Sequence, residues 1–200
     1  GLAVAAVVLL VGYWLLMAYV PVPGGAAGSF AEGKNLANYV DAHWLPGRKW
    51  DGDHDPEGLL STLPAVASCL LGALAGLLLK DRSTGPYKKV LTLLVAGGVS
   101  VGLGFAWGLE FPVVKKLWTS SFVLVAAGYS AILLGLFYLV IDVWQLRRWA
   151  APFVWIGVNP ITLYLLDGLI DFRGLAQRFI GGDVSHDVLH AASQLRVRTL

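Results

Sequence analysis

Five stretches of this chain are long and apolar enough to cross a bilayer: residues 2–20, 58–79, 90–109, 117–141 and 149–170. Their only charge is Asp167, near the end of the fifth. About 20 apolar residues in helical rise match the ~30 Å of hydrocarbon. With no water there to satisfy exposed N–H and C=O groups, each stretch must be a helix. The expected fold class is therefore all-α: a polytopic transmembrane helical bundle of about five spans, with one long extracytoplasmic loop. Composition agrees, at 56% hydrophobic and 14% charged, against roughly 25% charged in soluble domains. The mean hydropathy is +0.67. A net charge of +2 and the lack of a basic stripe exclude nucleic acid as a partner, and the expected partner is the lipid bilayer.

The first run exceeds the about 7–15 apolar residues of a signal-peptide core, so it reads as a true span. The chain opens at Gly1 without an initiator Met, and it reads as one lacking an N-terminal part. Residues 1–170 form the expected transmembrane domain and 171–200 a polar tail. Cys69 stands alone inside an apolar run, which suits packing rather than reactivity.

Charge sets the orientation. The connection at 80–89 holds Lys80, Arg82, Lys88 and Lys89 against Asp81, and the next even connection, 142–149, holds Arg147 and Arg148. The positive-inside rule places both in the cytoplasm. Residues 21–57 then face outward, with six carboxylates against Lys34, Arg48 and Lys49. Lys115 and Lys116 fall on the outer side, against the rule, and are outvoted. Small-xxx-small pairs at Gly72/Gly76, Gly98/Gly102 and Gly104/Gly108 are expected to let helices approach closely. Trp14, Tyr19, Trp107, Trp118, Trp149 and Trp155 lie near span ends, as interfacial belts do.

The outer loop carries the chemistry. It closes with Asp55-Pro56-Glu57-Gly58, where an acidic residue, a proline and a first-turn glutamate form a helix-start signal. Asp55 or Glu57 is thus expected to cap the second span. His43 and His54 flank the acidic segment without fixed helical spacing, so an exposed loop and no metal are expected. Asp167 and Asp171 share a helix face with Arg173 nearby, and His186 and His190 stand four apart in the tail. No His-Glu-x-x-His arrangement occurs, which excludes a zincin-type protease.

Four blocks in order then point to a family: Pro21-Val22-Pro23-Gly24, Asp55-Pro56-Glu57-Gly58-Leu59-Leu60-Ser61-Thr62-Leu63-Pro64, Lys115-Lys116-Leu117-Trp118-Thr119-Ser120-Ser121-Phe122 and Gly157-Val158-Asn159-Pro160. From about Tyr13 to Leu166 the chain resembles the heparan-alpha-glucosaminide N-acetyltransferase family and its bacterial relatives. The resemblance implies a membrane acyltransferase that moves acetyl from acetyl-CoA, its co-substrate, to an amino sugar. It also implies the bacterial inner membrane as location, and binding candidates at Asn35, Asp41, Asp55, Glu57, Lys115, Trp118 and Asn159. Lys115 would meet a phosphate or an acidic sugar, or else anchor the span by snorkelling to the headgroups, and Asn159 before Pro160 would line a cavity or simply mark a helix kink. The family's His-x-x-Trp-Asn-Gly motif, proposed to carry its catalytic His, is absent, so the catalytic residue is unknown. The chain looks like the C-terminal half of the family's membrane domain, part of a site without its general base. The competing expectation is a non-catalytic transmembrane accessory subunit of a larger membrane complex, such as an energy-converting assembly, with other membrane subunits as partners. A transporter fits less well, since the first four runs hold no charge along their length.

Overall fold

Helices form where the apolar runs are long, and their ends are set by local chemistry. The computed structural model describes residues 1–23, 27–52 and 54–169. Asp53, Asp171, Arg173, His186, His190 and the tail at 171–200 lie outside the described residues, as does the Asp167 side chain. The described chain runs α1 (Leu2–Tyr19), α2 (Leu36–Trp44), α3 (Thr62–Lys80), α4 (Pro86–Trp107), α5 (Ser120–Tyr138), α6 (Ala151–Val158) and α7 (Pro160–Leu169). A π-turn at Leu139–Val143 extends α5, giving a 24-residue span. Among the described residues four helices are long and apolar enough to cross a membrane, or up to five spans if α6 and α7 make one broken span. The chain is thus an integral, multi-pass membrane protein.

Two compact units divide the chain, Gly1–Leu146 and the part from Arg147 on. In the first, α4 and α5 pack antiparallel at very close range. The contact is made by Gly97 against Gly128, Gly104 against Val125, and Gly135 against Leu93. The glycines repeat every seven residues on each helix, which keeps one face toward the partner. This corrects the pairing expected from sequence: Gly72, Gly76, Gly98 and Gly102 have open space above them, and only Gly104 of those glycines enters the seam. Beside it, α1 and α3 meet at Ala6, Leu10 and Ala67, with Val123 of α5. Hydroxyls tie the helices through backbone carbonyls: Ser120 donates to Leu10 (2.7 Å), Ser100 to Leu124 (2.7 Å) and Tyr13 to Leu117 (2.6 Å). Outward side chains such as Val7, Leu77, Val95, Val99 and Leu103 are apolar and exposed, which suits lipid rather than water.

Two helix starts differ from expectation. The third span begins at Pro86, its N1 residue, with Gly85 as N-cap. Lys88 and Lys89 therefore stand in the first turn of α4. Lys89 folds back and donates to the Leu79 carbonyl at 2.6 Å, complementing the negative end of α3. The second span begins at Thr62 rather than residue 58, and its N-cap Ser61 makes no side-chain cap bond. Asp55 instead accepts from the Glu57 and Trp50 N–H groups at 2.9 and 3.0 Å. The expected carboxylate cap of α3 is thus replaced by an Asp55-centred turn several residues earlier. In the second unit, Pro160 cannot donate the next helical bond, and the chain bends by 72° between Val158 and Pro160. The Asn159 side chain donates to the Trp155 carbonyl there.

Residues 21–23, 27–52, 54–61 and 108–119 lie at one end of the first unit, joined by Phe30 against Phe111 and by Leu36 and Leu117 in one apolar cluster. The connection at 81–85 is at the other end. With Cys69→Ala as background, a cysteine at Ser29 is expected to react with an impermeant maleimide in intact cells. One at Ser83 should react only after permeabilisation, and the reverse pattern would overturn the orientation.

Candidate functional site

The loop between α1 and α3, expected on the outer side, is held in shape by buried polar groups in and just before α2. Asn35 is wholly buried and N-caps α2, accepting from the Asn38 N–H at 2.9 Å. Its amide donates to the Ala31 carbonyl and to the Asn38 side chain, and Asn38 in turn accepts from the Gly33 N–H. Two turns along, Asp41 is 1% exposed and accepts from the Leu59 N–H at 2.9 Å. The Asp55 N–H also bonds it. Gly58 passes so close that an added Cβ would run into the Asp41 carboxylate. So Asp41 fastens the Asp55–Gly58 turn onto α2 from below. Burial raises the Asp41 pKa, while the Leu59 and Asp55 N–H groups oppose that shift.

On the solvent side this turn borders an open cleft of about 710 Å³ lined by Arg48, Lys49, Trp50, Gly52 and Asp55. The Trp50 ring is 86% exposed while its N–H is anchored on Asp55. The Glu57 and Trp50 N–H groups hold the Asp55 pKa below its ordinary value, so this carboxylate stays ionised in the cleft wall. Glu57 is exposed beside it.

A second, smaller cavity of about 190 Å³ lies between the loop and the approach to α5, with Glu32, Asn35, Asp51, His54, Lys116 and Leu117 among its lining residues. Lys116 donates to Glu32 at 2.8 Å and to Asp51 at 3.1 Å. The Lys116 hydrogen bond lowers the Glu32 pKa, and Glu32 and Asp51 raise that of Lys116. His54 is buried here, a correction to the exposed position expected of it, whereas His43 is exposed and stacks on Tyr39.

Of the residues singled out in the sequence, Asn35, Asp41, Asp55 and Glu57 thus come together in one loop. Lys115 is exposed and does not line the smaller cavity, whereas Lys116 does. Trp118, in left-handed backbone conformation, donates to Ser68 of α3 at 3.2 Å. Asn159 belongs to the second unit. Glu32, Asp51, Trp50 and Lys116 also line these two spaces, and no local motif marks them in the sequence. The Lys115-Lys116 doublet was visible, but only the helical turn at Lys115–Leu117 decides which lysine faces the loop.

The chain is similar to heparan-alpha-glucosaminide N-acetyltransferase of Homo sapiens, with 30% identity over 199 residues, 80% of this chain and 28% of that protein. The same enzyme of Mus musculus is 32% identical over 122 residues, 56% of this chain and 18% of that protein. The chain spans less than a third of the length of these relatives. No family model matches it. These similarities establish a distant relationship to the family that the Asp-Pro-Glu-Gly and Lys-Lys-Leu-Trp blocks resemble.

Proposed function

From this distant relationship we propose that the chain is a membrane N-acetyltransferase-like protein whose outer-loop cleft takes the amino-sugar acceptor, with acetyl-CoA as donor. The observation that carries the acceptor assignment is the cleft of Arg48, Lys49, Trp50, Gly52 and Asp55. An exposed indole offers a flat apolar face to a sugar ring. The ionised Asp55, with Glu57 beside it, suits the ammonium of an amino sugar, and Arg48 and Lys49 suit an acidic substituent.

In the reaction, the deprotonated amine attacks the thioester carbonyl, forming the amide C–N bond. The C–S bond breaks, the thiolate of CoA leaves, and the amine's proton passes to a base. A positioned base contributes roughly 10²–10⁴-fold. The family's His motif is absent here, and His54 lies beside Glu32 and Asp51 at the smaller cavity, not in the wall of the acceptor cleft. The 200-residue chain alone is therefore expected to bind without turning over.

The test is glucosamine binding to the purified chain by calorimetry, followed by acetyl-CoA addition with product analysis. Trp50→Ala should weaken glucosamine at least about fivefold, which is about 1 kcal/mol. The ring is solvent-exposed, so its loss should leave the fold intact. Unchanged affinity would remove the cleft from the acceptor site. Turnover by the chain that disappears in His54→Gln would make His54 the base. Binding of neither substrate would favour the accessory-subunit reading.

A further inference from the structure

We propose that Glu32, Asp51 and His54 form a site for a zinc-class dication at the mouth of the smaller cavity, with Lys116 as the resident cation that the metal displaces. The donors come from both ends of the outer loop. Glu32 Oε1, Asp51 Oδ2 and the His54 imidazole all lie within 4.8 Å of one another. The His54 Nε2 atom is 3.6 Å from Glu32 Oε1 and 4.0 Å from Asp51 Oδ2. An imidazolium–carboxylate hydrogen bond would close to about 2.7–2.9 Å. Ligand atoms about 2.0–2.1 Å from a tetrahedral zinc stand about 3.3 Å apart. Both spacings are too wide for a charge-assisted bond, and they exceed a coordination edge by about 0.3 and 0.7 Å.

The donor set is also selective. One imidazole nitrogen with two carboxylate oxygens suits Zn²⁺ and neighbouring transition-metal dications, whereas Ca²⁺ takes six to eight oxygens. Three protein ligands leave a fourth position, and the adjoining cavity gives water or a small ligand room to fill it.

Lys116 uses the same two oxygens, at 2.8 and 3.1 Å. Its ammonium shows that a cation belongs at this point, and one ammonium does not balance two carboxylates. The Lys116 side chain is 56% exposed and the His54 side chain 10% exposed. Thus the lysine can swing into solvent on its flexible stem while the imidazole stays in place. Displacement exchanges two charge-assisted hydrogen bonds for three metal–ligand bonds. The bound metal would clip the start of the loop to the segment just before the Asp55 turn. Sequence spacing hid the site because Glu32 lies on the far side of α2 from Asp51 and His54.

The experiment is a competition titration of the chelator-stripped full chain with Zn²⁺ and a chromophoric chelator, in a His186→Gln/His190→Gln background. It is read without sugar or acetyl-CoA, so its outcome is independent of the acceptor cleft. One equivalent of Zn²⁺ is expected, with Co²⁺ giving the absorption of a four-coordinate site. His54→Gln should weaken binding by more than about tenfold, the loss that even an outer partner can cause. Lys116→Met should tighten binding, because it removes the competing cation. A structural ion cluster with no metal function would show the opposite: no saturable binding, or an affinity that Lys116→Met leaves unchanged. Either result overturns the proposal, as does a His54→Gln variant that binds as tightly as the parent. Lys116 is on the surface, so its variant decides the matter even if His54→Gln fails to fold.

Discussion

Replacing Gly128 with valine should separate α4 from α5 and cost the first unit on the order of 3 kcal/mol or more. An added Cβ at Gly128 would lie 2.7 Å from the Gly97 carbonyl oxygen and 2.8 Å from the Val101 nitrogen. Both are backbone atoms of α4, so neither can rotate away. Relief requires the two helices to part along the seam, which also loosens Gly104 against Val125 and the Ser100–Leu124 hydrogen bond. Overpacking a well-filled core typically costs about 1–3 kcal/mol, and a rigid backbone obstacle puts this site at or beyond the upper end. Close approach through glycine is also the chief source of attraction where lipid competes equally for apolar side chains. Gly102→Val is the matched control, since its Cβ would meet nothing within 4 Å. Thermal unfolding in detergent, followed by cysteine reactivity or far-ultraviolet circular dichroism, should show a large drop for Gly128→Val and little for Gly102→Val. Equal drops would mean that helix propensity, not the seam, sets the cost.

The spans were legible because bilayer thickness imposes a length that few other structures require. Residues 2–20 against Leu2–Tyr19 is agreement to the last turn. Legibility fails where apolar residues serve something other than lipid. Leu59 and Leu60 extend the second run in hydropathy, yet Leu60 packs into the outer-loop core and the Leu59 N–H is tied to Asp41. The helix therefore starts later than the hydropathy does. Glycine spacing likewise marks helices built for contact without saying which face is used. The seam chose Gly97 and Gly128 because their neighbours across α5 and α4, Ile132 and Val101, fill the flanks. In the site, Asn35, Asp41, Asp55 and Glu57 could be picked out, but not their division of labour. Asn35 and Asp41 hold the loop from inside, Asp55 lines the cleft, and Glu57 is exposed next to it in the chain. His54 is buried beside a cavity that it shares with Glu32 and Lys116, which are distant in the chain, and no local pattern announces it.

Asp41→Ala is expected to release the Asp55–Gly58 turn and to cost on the order of 3 kcal/mol of loop stability. Two N–H groups, of Leu59 and Asp55, lose their acceptor, and each buried donor left unsatisfied costs about 1–3 kcal/mol. The more informative variant is Asp41→Asn, which keeps the size and one acceptor and removes the titration. Burial raises the Asp41 pKa in the folded protein, so folding favours its protonated form. That contribution is fully present below the unfolded value of about 3.9 and is lost as pH rises through the raised folded value. Glu32 and Asp55 have lowered pKa values, so they contribute stability above their unfolded values that is lost as pH falls. In the parent chain the two effects oppose one another. Asp41→Asn deletes only the one that favours acid. Between neutral pH and about pH 4, the variant's outer loop should therefore lose more stability than the parent's. Amide hydrogen exchange at Leu59 and at Trp50, whose N–H groups report the two carboxylates separately, should show the variant opening more steeply with acid. Parallel pH profiles for the two proteins would mean that Asp41 is ionised in the folded loop without cost, and that its burial plays no part in the acid response.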